Sequence, residues 1–140
     1  MSTIRLEIVS PDKMVYSEDV EMAIVRSTGG ELGILPKHTP LLTGILPHAM
    51  RIKRNGGEEL IAVCGGFMEV TPHKITILAS AAELPINIDI NRAQKAYDRA
   101  QERLEALQKA PEEHKDIDSE RAHAALDRAK ARLQATNNKQ

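Results

Sequence analysis

The chain has 140 residues, with 19 Lys+Arg against 20 Asp+Glu and a formal charge of −1. A balanced charge gives no field that draws in nucleic acid or anionic lipid. Three aromatic side chains, Tyr16, Phe67 and Tyr97, are too few for a base-stacking surface. The single Cys64 excludes an internal disulfide and suits a reducing compartment. The opening "MSTIRLEIVS" lacks the apolar run of a signal peptide, and no stretch approaches the ~20 apolar residues that span a bilayer. A cytoplasmic chain of one domain, or at most two small units, is expected.

Glycine divides the chain. All eight glycines lie at or before Gly66, and this first part reads as strands. "TIRLEIV" alternates, placing Ile4, Leu6 and Ile8 on one face and Arg5 and Glu7 on the other. "VEMAIV", "LIAV" and "KITILA" are further strand candidates. Pro11-Asp12, Gly29-Gly30, Asn55-Gly56-Gly57 and Pro72-His73 supply turns between them. The glycine pairs in "GGELG" and "CGGFMEV" have no following helix, so they read as turns or bulges and not as phosphate loops. Many short strands without intervening helices predict an antiparallel β-sandwich or barrel, here residues 1–84.

Residues 85–140 follow a different pattern, opened by Pro85 and rich in Ala, Glu, Arg and Gln. Asp89 and Asp118 are suited to cap helices, each preceded by a staple isoleucine, Ile88 and Ile117. One apolar stripe runs through Ala93, Tyr97, Ala100 and Leu104, and a second through Ala122, Leu126, Ala129 and Leu133. Pro111 stops the first helix before the second begins. The fold class is therefore α+β, strands first, with a C-terminal antiparallel two-helix hairpin. Its narrow alanine seam allows close approach but buries little apolar area, so its packing should be easily undone.

The two helices are copies. Residues 88–107 and 117–136 align without gaps, with 11 identities in 20 positions, and Arg92, Arg99 and Arg103 correspond to Arg121, Arg128 and Arg132. Arg92 and Arg121 fall in the first helical turn, where a cation is disfavoured by roughly 0.3–1 kcal/mol. Each arginine stripe lies roughly 100° from its apolar seam. Antiparallel packing through equivalent seams puts both stripes on one face of the hairpin. A turn centred near Glu113 brings Arg99 beside Arg128 and Arg92 beside Arg132. Such a face suits a polyanion, an acidic helix of a partner, or plain solvation with Asp89 serving only as a cap.

Bond-breaking constellations are missing. The five histidines show no metal spacing, Cys64 has no CxxC partner and reads as a buried strand thiol, and no nucleophile elbow occurs. ATP, if bound, is expected to stay unhydrolysed, and no metal or required cofactor is expected.

Three motifs, "GELGILPKHTPLL" (Gly30–Leu42), "CGGFMEV" (Cys64–Val70) and "IDINRA" (Ile88–Ala93), resemble in content and order those of the epsilon subunits of bacterial F-type ATP synthases. The resemblance spans essentially the whole chain. It implies a non-catalytic regulatory subunit of a proton-translocating ATPase, lying at the foot of the central stalk. The partners implied are the gamma subunit, the c-ring and the alpha and beta catalytic subunits. The location implied is peripheral, on the cytoplasmic side of the membrane, which is met only through Fo. The ring-facing loop is implied to include Glu31 and His38, with Leu42 nearby. The family commonly has glycine just before that histidine, whereas this chain has Lys37, and a left-handed turn there is costly for lysine. Cys64 stands where serine is usual.

The family's hairpin is mobile. Folded on the sandwich it permits ATP hydrolysis, and extended along gamma it blocks it. In some relatives the folded form binds one ATP, possible with Mg, as a regulatory ligand. The residues implied here are Glu83, Ile88, Asp89, Arg92, Ala93, Arg99, Arg128 and Arg132. Arg92 and Asp89 would orient the nucleotide, while Arg99, Arg128 and Arg132 would meet the phosphates. Arg121 is expected to be an echo of the repeat or an ion-pairing residue of the extended state. The competing readings are a free-standing ATP- or anion-sensing adaptor outside any motor and, more distantly, a small enzyme.

Overall fold

Residues 2–136 are described by the structure, a computed structural model. The strands are β1 (Ile4–Val9), β2 (Met14–Val20), β3 (Met22–Ser27), β4 (Gly30–Ile34), β5 (Leu41–Arg54), β6 (Gly57–Thr71), β7 (Lys74–Ala79) and β8 (Ala82–Glu83). A 3₁₀ turn at Pro85–Asn87 leads into α1 (Ile90–Lys109), and a second at Pro111–Glu113 precedes α2 (Ser119–Thr136).

The strand order is β2-β1-β7-β6-β5-β3-β4, with β8 added to β6. Although β2 and β4 stand at opposite ends of this order, residues from both belong to one core with Ile4, Leu6, Ile8, Met50, Ile52, Met68, Ile75 and Ile77. The sheet is thus folded over into the expected sandwich. Tyr16 on β2 closes it by donating its hydroxyl to Glu59 of β6 at 3.0 Å. Burial and the Glu59 carboxylate push that phenol's pKa above its ordinary value. All pairings are antiparallel except β1 with β7, which is parallel.

Two strand expectations need correction. "VEMAIV" is the junction of two strands: Val20 pairs with Ile4 of β1, whereas Met22 pairs with Lys53 of β5. The chain changes layer at Glu21, whose amide already bonds to the Lys53 carbonyl at 2.8 Å. "LIAV" is a short piece of β6, which has 15 residues and lies beside the 14-residue β5. Both long strands pass through both layers: Gly66–Thr71 of β6 pairs with β7, while Ala62 and Val63 pair with β8. The bend falls where Leu46 and Gly65 drop out of the β5·β6 register. Gly66, at φ +139°, is required there because a Cβ would lie 2.1 Å from the Leu78 carbonyl oxygen. Asn55 and Gly56, both at positive φ, join β5 to β6 as the two-residue hairpin turn that their sequence predicts.

The helices form the expected hairpin, and α2 alone packs broadly on the sandwich, across β5 and β6. Ala135 of α2 meets Ala62 of β6 and Ile88. This covering explains why Ile61 to Gly65 are buried in succession, on alternate faces of one strand. Helix α1 rests on α2 through Ala93 and Ala100 against Ala122 and Ala129, all buried. Among the described residues no helix is long and apolar enough to cross a membrane.

Candidate functional site

Local chemistry fixes the helix starts. The Asp89 carboxylate accepts the Arg92 backbone N–H at 3.0 Å, and the Asp118 carboxylate accepts that of Arg121 at 3.2 Å. Each first-turn arginine therefore sits beside a capping carboxylate, which offsets the unfavourable helix dipole.

Between the helices runs a groove of about 630 Å³. Its walls carry Arg99 and Arg103 from α1 and Arg121 and Arg128 from α2, and its sides are small: Ala96, Ala100, Ala122, Ala124 and Ala125. Asp116, Ile117 and Asp118 close one end. Among the described residues no ion pair joins any of these four guanidiniums to a carboxylate. Four cations thus line an alanine-walled groove with two carboxylates at one end, and guanidiniums so placed have charge-assisted hydrogen bonds still to be made.

The expected ligand residues are divided between two places. Arg99 and Arg128 line the groove together, as the repeat geometry requires. Arg132 instead lies at the junction with the sandwich, ion-paired with Glu83, and its side chain is 28% exposed. Burial there is the largest influence and opposes its charge, but the hydrogen bond it donates to Glu83 and the charges of Cys64 and Glu83 together outweigh this and raise the pKa. Arg132 thus has Glu83 as its neighbour, where Arg92 was expected. Ile88 is buried against Ala62 and Ala135, and Ala93 is buried on α1. Asp89 and Arg92 are exposed at the start of α1 and are not among the groove's lining residues. Cys64 lies under this junction, and burial pushes its thiol up, away from the reactive thiolate.

Glu31, at the start of β4, is exposed and opposite Arg26. The side chain of Leu42 is open to solvent (73%), while His38 is half-buried with Nδ1 2.7 Å from the Thr39 carbonyl oxygen. Lys37 does adopt the left-handed conformation, φ +66°, with its amide bonded to the Pro72 carbonyl at 2.9 Å.

Two groove residues, Arg103 and Arg121, were not among the expected ligands although both belong to the repeated stripe. The choice of docking helix was also missed, and it had a signal. The α2 residues Ala124, Ala131 and Ala135 form a second small face, and the repeat places Lys95, Glu102 and Ala106 at the equivalent sites of α1. Only α2 can lie close to a sheet without burying charge.

Residues 3–85 match a family described as ATP synthase, Delta/Epsilon chain, beta-sandwich domain, and residues 87–137 match its long alpha-helix domain. The chain is 55% identical over 104 residues to the ATP synthase epsilon chain of Alkalihalophilus pseudofirmus, covering 74% of this chain and 78% of that one. It is 50% identical over 104 residues to that of Bacillus subtilis, covering 74% and 79%. In fold it is similar to a chain of the Euglena gracilis mitochondrial ATP synthase, with TM-score 0.76 and 20% identity over 96% of this chain and 81% of that one.

Proposed function

This chain belongs to the ATP synthase delta/epsilon family as an epsilon chain, and from that premise we propose that it is a non-catalytic central-stalk subunit whose hairpin is an ATP-responsive brake on hydrolysis. The sandwich links gamma to the c-ring, with Glu31, His38 and Leu42 on the ring-facing surface. The complex holds it at the cytoplasmic side of the membrane, and proton transport belongs to the complex and not to this chain.

The observation that carries the reading is the folded hairpin itself. It is held to the sandwich through one alanine-faced helix and one ion pair, and it presents four guanidiniums with no ion-pair partner among the described residues. The donor set fits a triphosphate, because planar guanidiniums pair with phosphate oxygens at two points. Arg99 and Arg128 take the phosphates, joined by Arg103 and Arg121. Arg132, with Glu83, ties the ligand-holding form to the sandwich, and Asp89 and Arg92 act from the start of α1. ATP that binds only the folded hairpin stabilises it by about 2.7 kcal/mol at a hundredfold excess over Kd. When ATP falls, the hairpin extends, and its arginine face pairs with acidic segments of the alpha and beta subunits.

Calorimetric titration of MgATP into the full chain tests this. Saturable 1:1 binding is expected, lost in Arg99→Ala and Arg128→Ala, whose side chains lie outside the helix caps and the sandwich contact. Wild-type protein that shows no saturable binding at millimolar ATP would overturn the ATP-held hairpin. Failure to co-purify with membrane-bound ATPase activity would overturn the motor assignment.

A further inference from the structure

The β3·β5 ladder has a gap. Ile24 pairs with Arg51 and Ser27 with Ile45, so two residues of β3 face five of β5. Pro47 lies within those five. A backbone donor in such a gap needs another acceptor, and the one it has is a side chain: the Arg26 backbone N–H donates to Nε2 of His48 at 3.1 Å.

The other ring nitrogen is also used. His48 Nδ1 lies 2.6 Å from the Leu46 carbonyl oxygen, and a carbonyl only accepts, so Nδ1 carries the proton and Nε2 is the free lone pair. Acceptance at Nε2 requires a neutral imidazole, whereas the bond from Nδ1–H would survive protonation. The ring is 7% exposed.

We propose that His48 is a proton-operated latch: as a neutral ring it bridges the gap between β3 and β5, and on protonation it releases the Arg26 amide and frees the β3–β4 turn that presents Glu31. An imidazolium has N–H at both positions, so Nε2–H would point at the Arg26 N–H, donor against donor. The remaining ties of that turn to β5 are local: the Ser27–Ile45 pair and the Thr28 amide on the Gly44 carbonyl at 3.0 Å. Acid therefore unfastens one corner of the sandwich while the core seams of β1, β6 and β7 stay paired.

The charges around the ring are few. Arg26 from β3 disfavours a second cation, Glu31 from β4 favours one, and the cross-strand neighbour on β6 is the apolar Val63. Burial is the largest influence and holds the folded pKa below the ordinary value of 6.5. With the folded value depressed, the latch contributes its full stability above about pH 6.5 and loses it as pH falls through the folded value. Between those two values only the opened form takes up the proton, so the open-to-closed ratio rises about tenfold per pH unit.

Amide exchange by NMR on the full chain, from pH 7.5 down to 4.5, tests the latch. After correction for intrinsic exchange, protection at Arg26 and Thr28 should lie below that at Ile77 and Met68, since the turn opens without the core, and should fall by up to about tenfold per pH unit between pH 6.5 and the folded value. In His48→Gln the amide oxygen can accept from Arg26 and the NH₂ can donate to Leu46 without titrating, so the same protection should be flat with pH. Because repacking in that variant would mask the effect, the ¹⁵N shifts of the wild-type ring are read in parallel and should show the neutral Nδ1–H tautomer above pH 6.5. Arg26 protection equal in size to that of Ile77 at every pH, which would mean opening only with the whole fold, or a ring that titrates with no change at Arg26, overturns the proposal.

Discussion

Replacing Glu83 by alanine removes the one ion pair that, among the described residues, joins α2 to the sandwich. Glu83 and Arg132 are 32% and 28% exposed, so the pair is neither fully wet nor fully buried. Exposed pairs contribute about 0–1 kcal/mol, and hydrogen bonds to charged groups about 1.5–3 kcal/mol. A third of full exposure puts this pair at about 1–2 kcal/mol, part of it the cost of leaving a half-buried guanidinium unpaired. The remaining contact of α2 centres on Ala135 against Ala62 and Ile88, with Ala49 and Leu60 beside them, a small cluster with little area to compensate. The undocked population of α2 should therefore rise about 5- to 30-fold, since 1.4 kcal/mol is tenfold. Hydrogen exchange with mass spectrometry reads this directly: protection over α2 should drop by that factor, while strands β1 and β7 are unchanged. Glu83→Gln, which retains an acceptor, should lose less. Undiminished α2 protection in Glu83→Ala would refute the argument that the ion pair, and not the alanine contact, holds the hairpin down.

Lys37→Gly should stabilise the chain by about 0.5–1 kcal/mol, the left-handed cost of a Cβ less the entropy glycine loses, raising Tm by about 2–4 °C in calorimetry. Gly66→Ala should destabilise by more than about 3 kcal/mol, because the new Cβ meets Leu78 and Ala79 backbone atoms; urea titration reads the loss. Arg121→Gln should have effects of opposite sign: slightly higher α2 helicity by circular dichroism, from removing a cation at the helix start, and weaker MgATP binding by calorimetry.

Local features were legible in the sequence. Asp89 and Asp118 cap their helices, Asn55-Gly56 makes its turn, Pro111 separates α1 from α2, and Arg99 faces Arg128, because each depends on residues a few positions apart or on a simple two-fold repeat. The sandwich was legible as a class for the same reason, since alternation in "TIRLEIV" marks a face without naming its neighbour. Pairing order was not. The parallel β1·β7 pair, the change of layer at Glu21 and the passage of β5 and β6 through both layers are settled by contacts between distant segments.

The candidate site divides in the same way. One arginine face follows from helical periodicity, so the sequence alone determined that the guanidiniums would gather and that α2 carried a second alanine surface. Only the tertiary structure decided which of them are free: docking α2 on β6 commits Arg132 to Glu83 and leaves Arg121, expected to be an echo of the repeat or an ion-pairing residue of the extended state, in the groove. His48 is the clearest case. Nothing near it in sequence says that its ring must remain neutral; the amide it serves, 22 residues away, comes within reach only when β5 crosses β3.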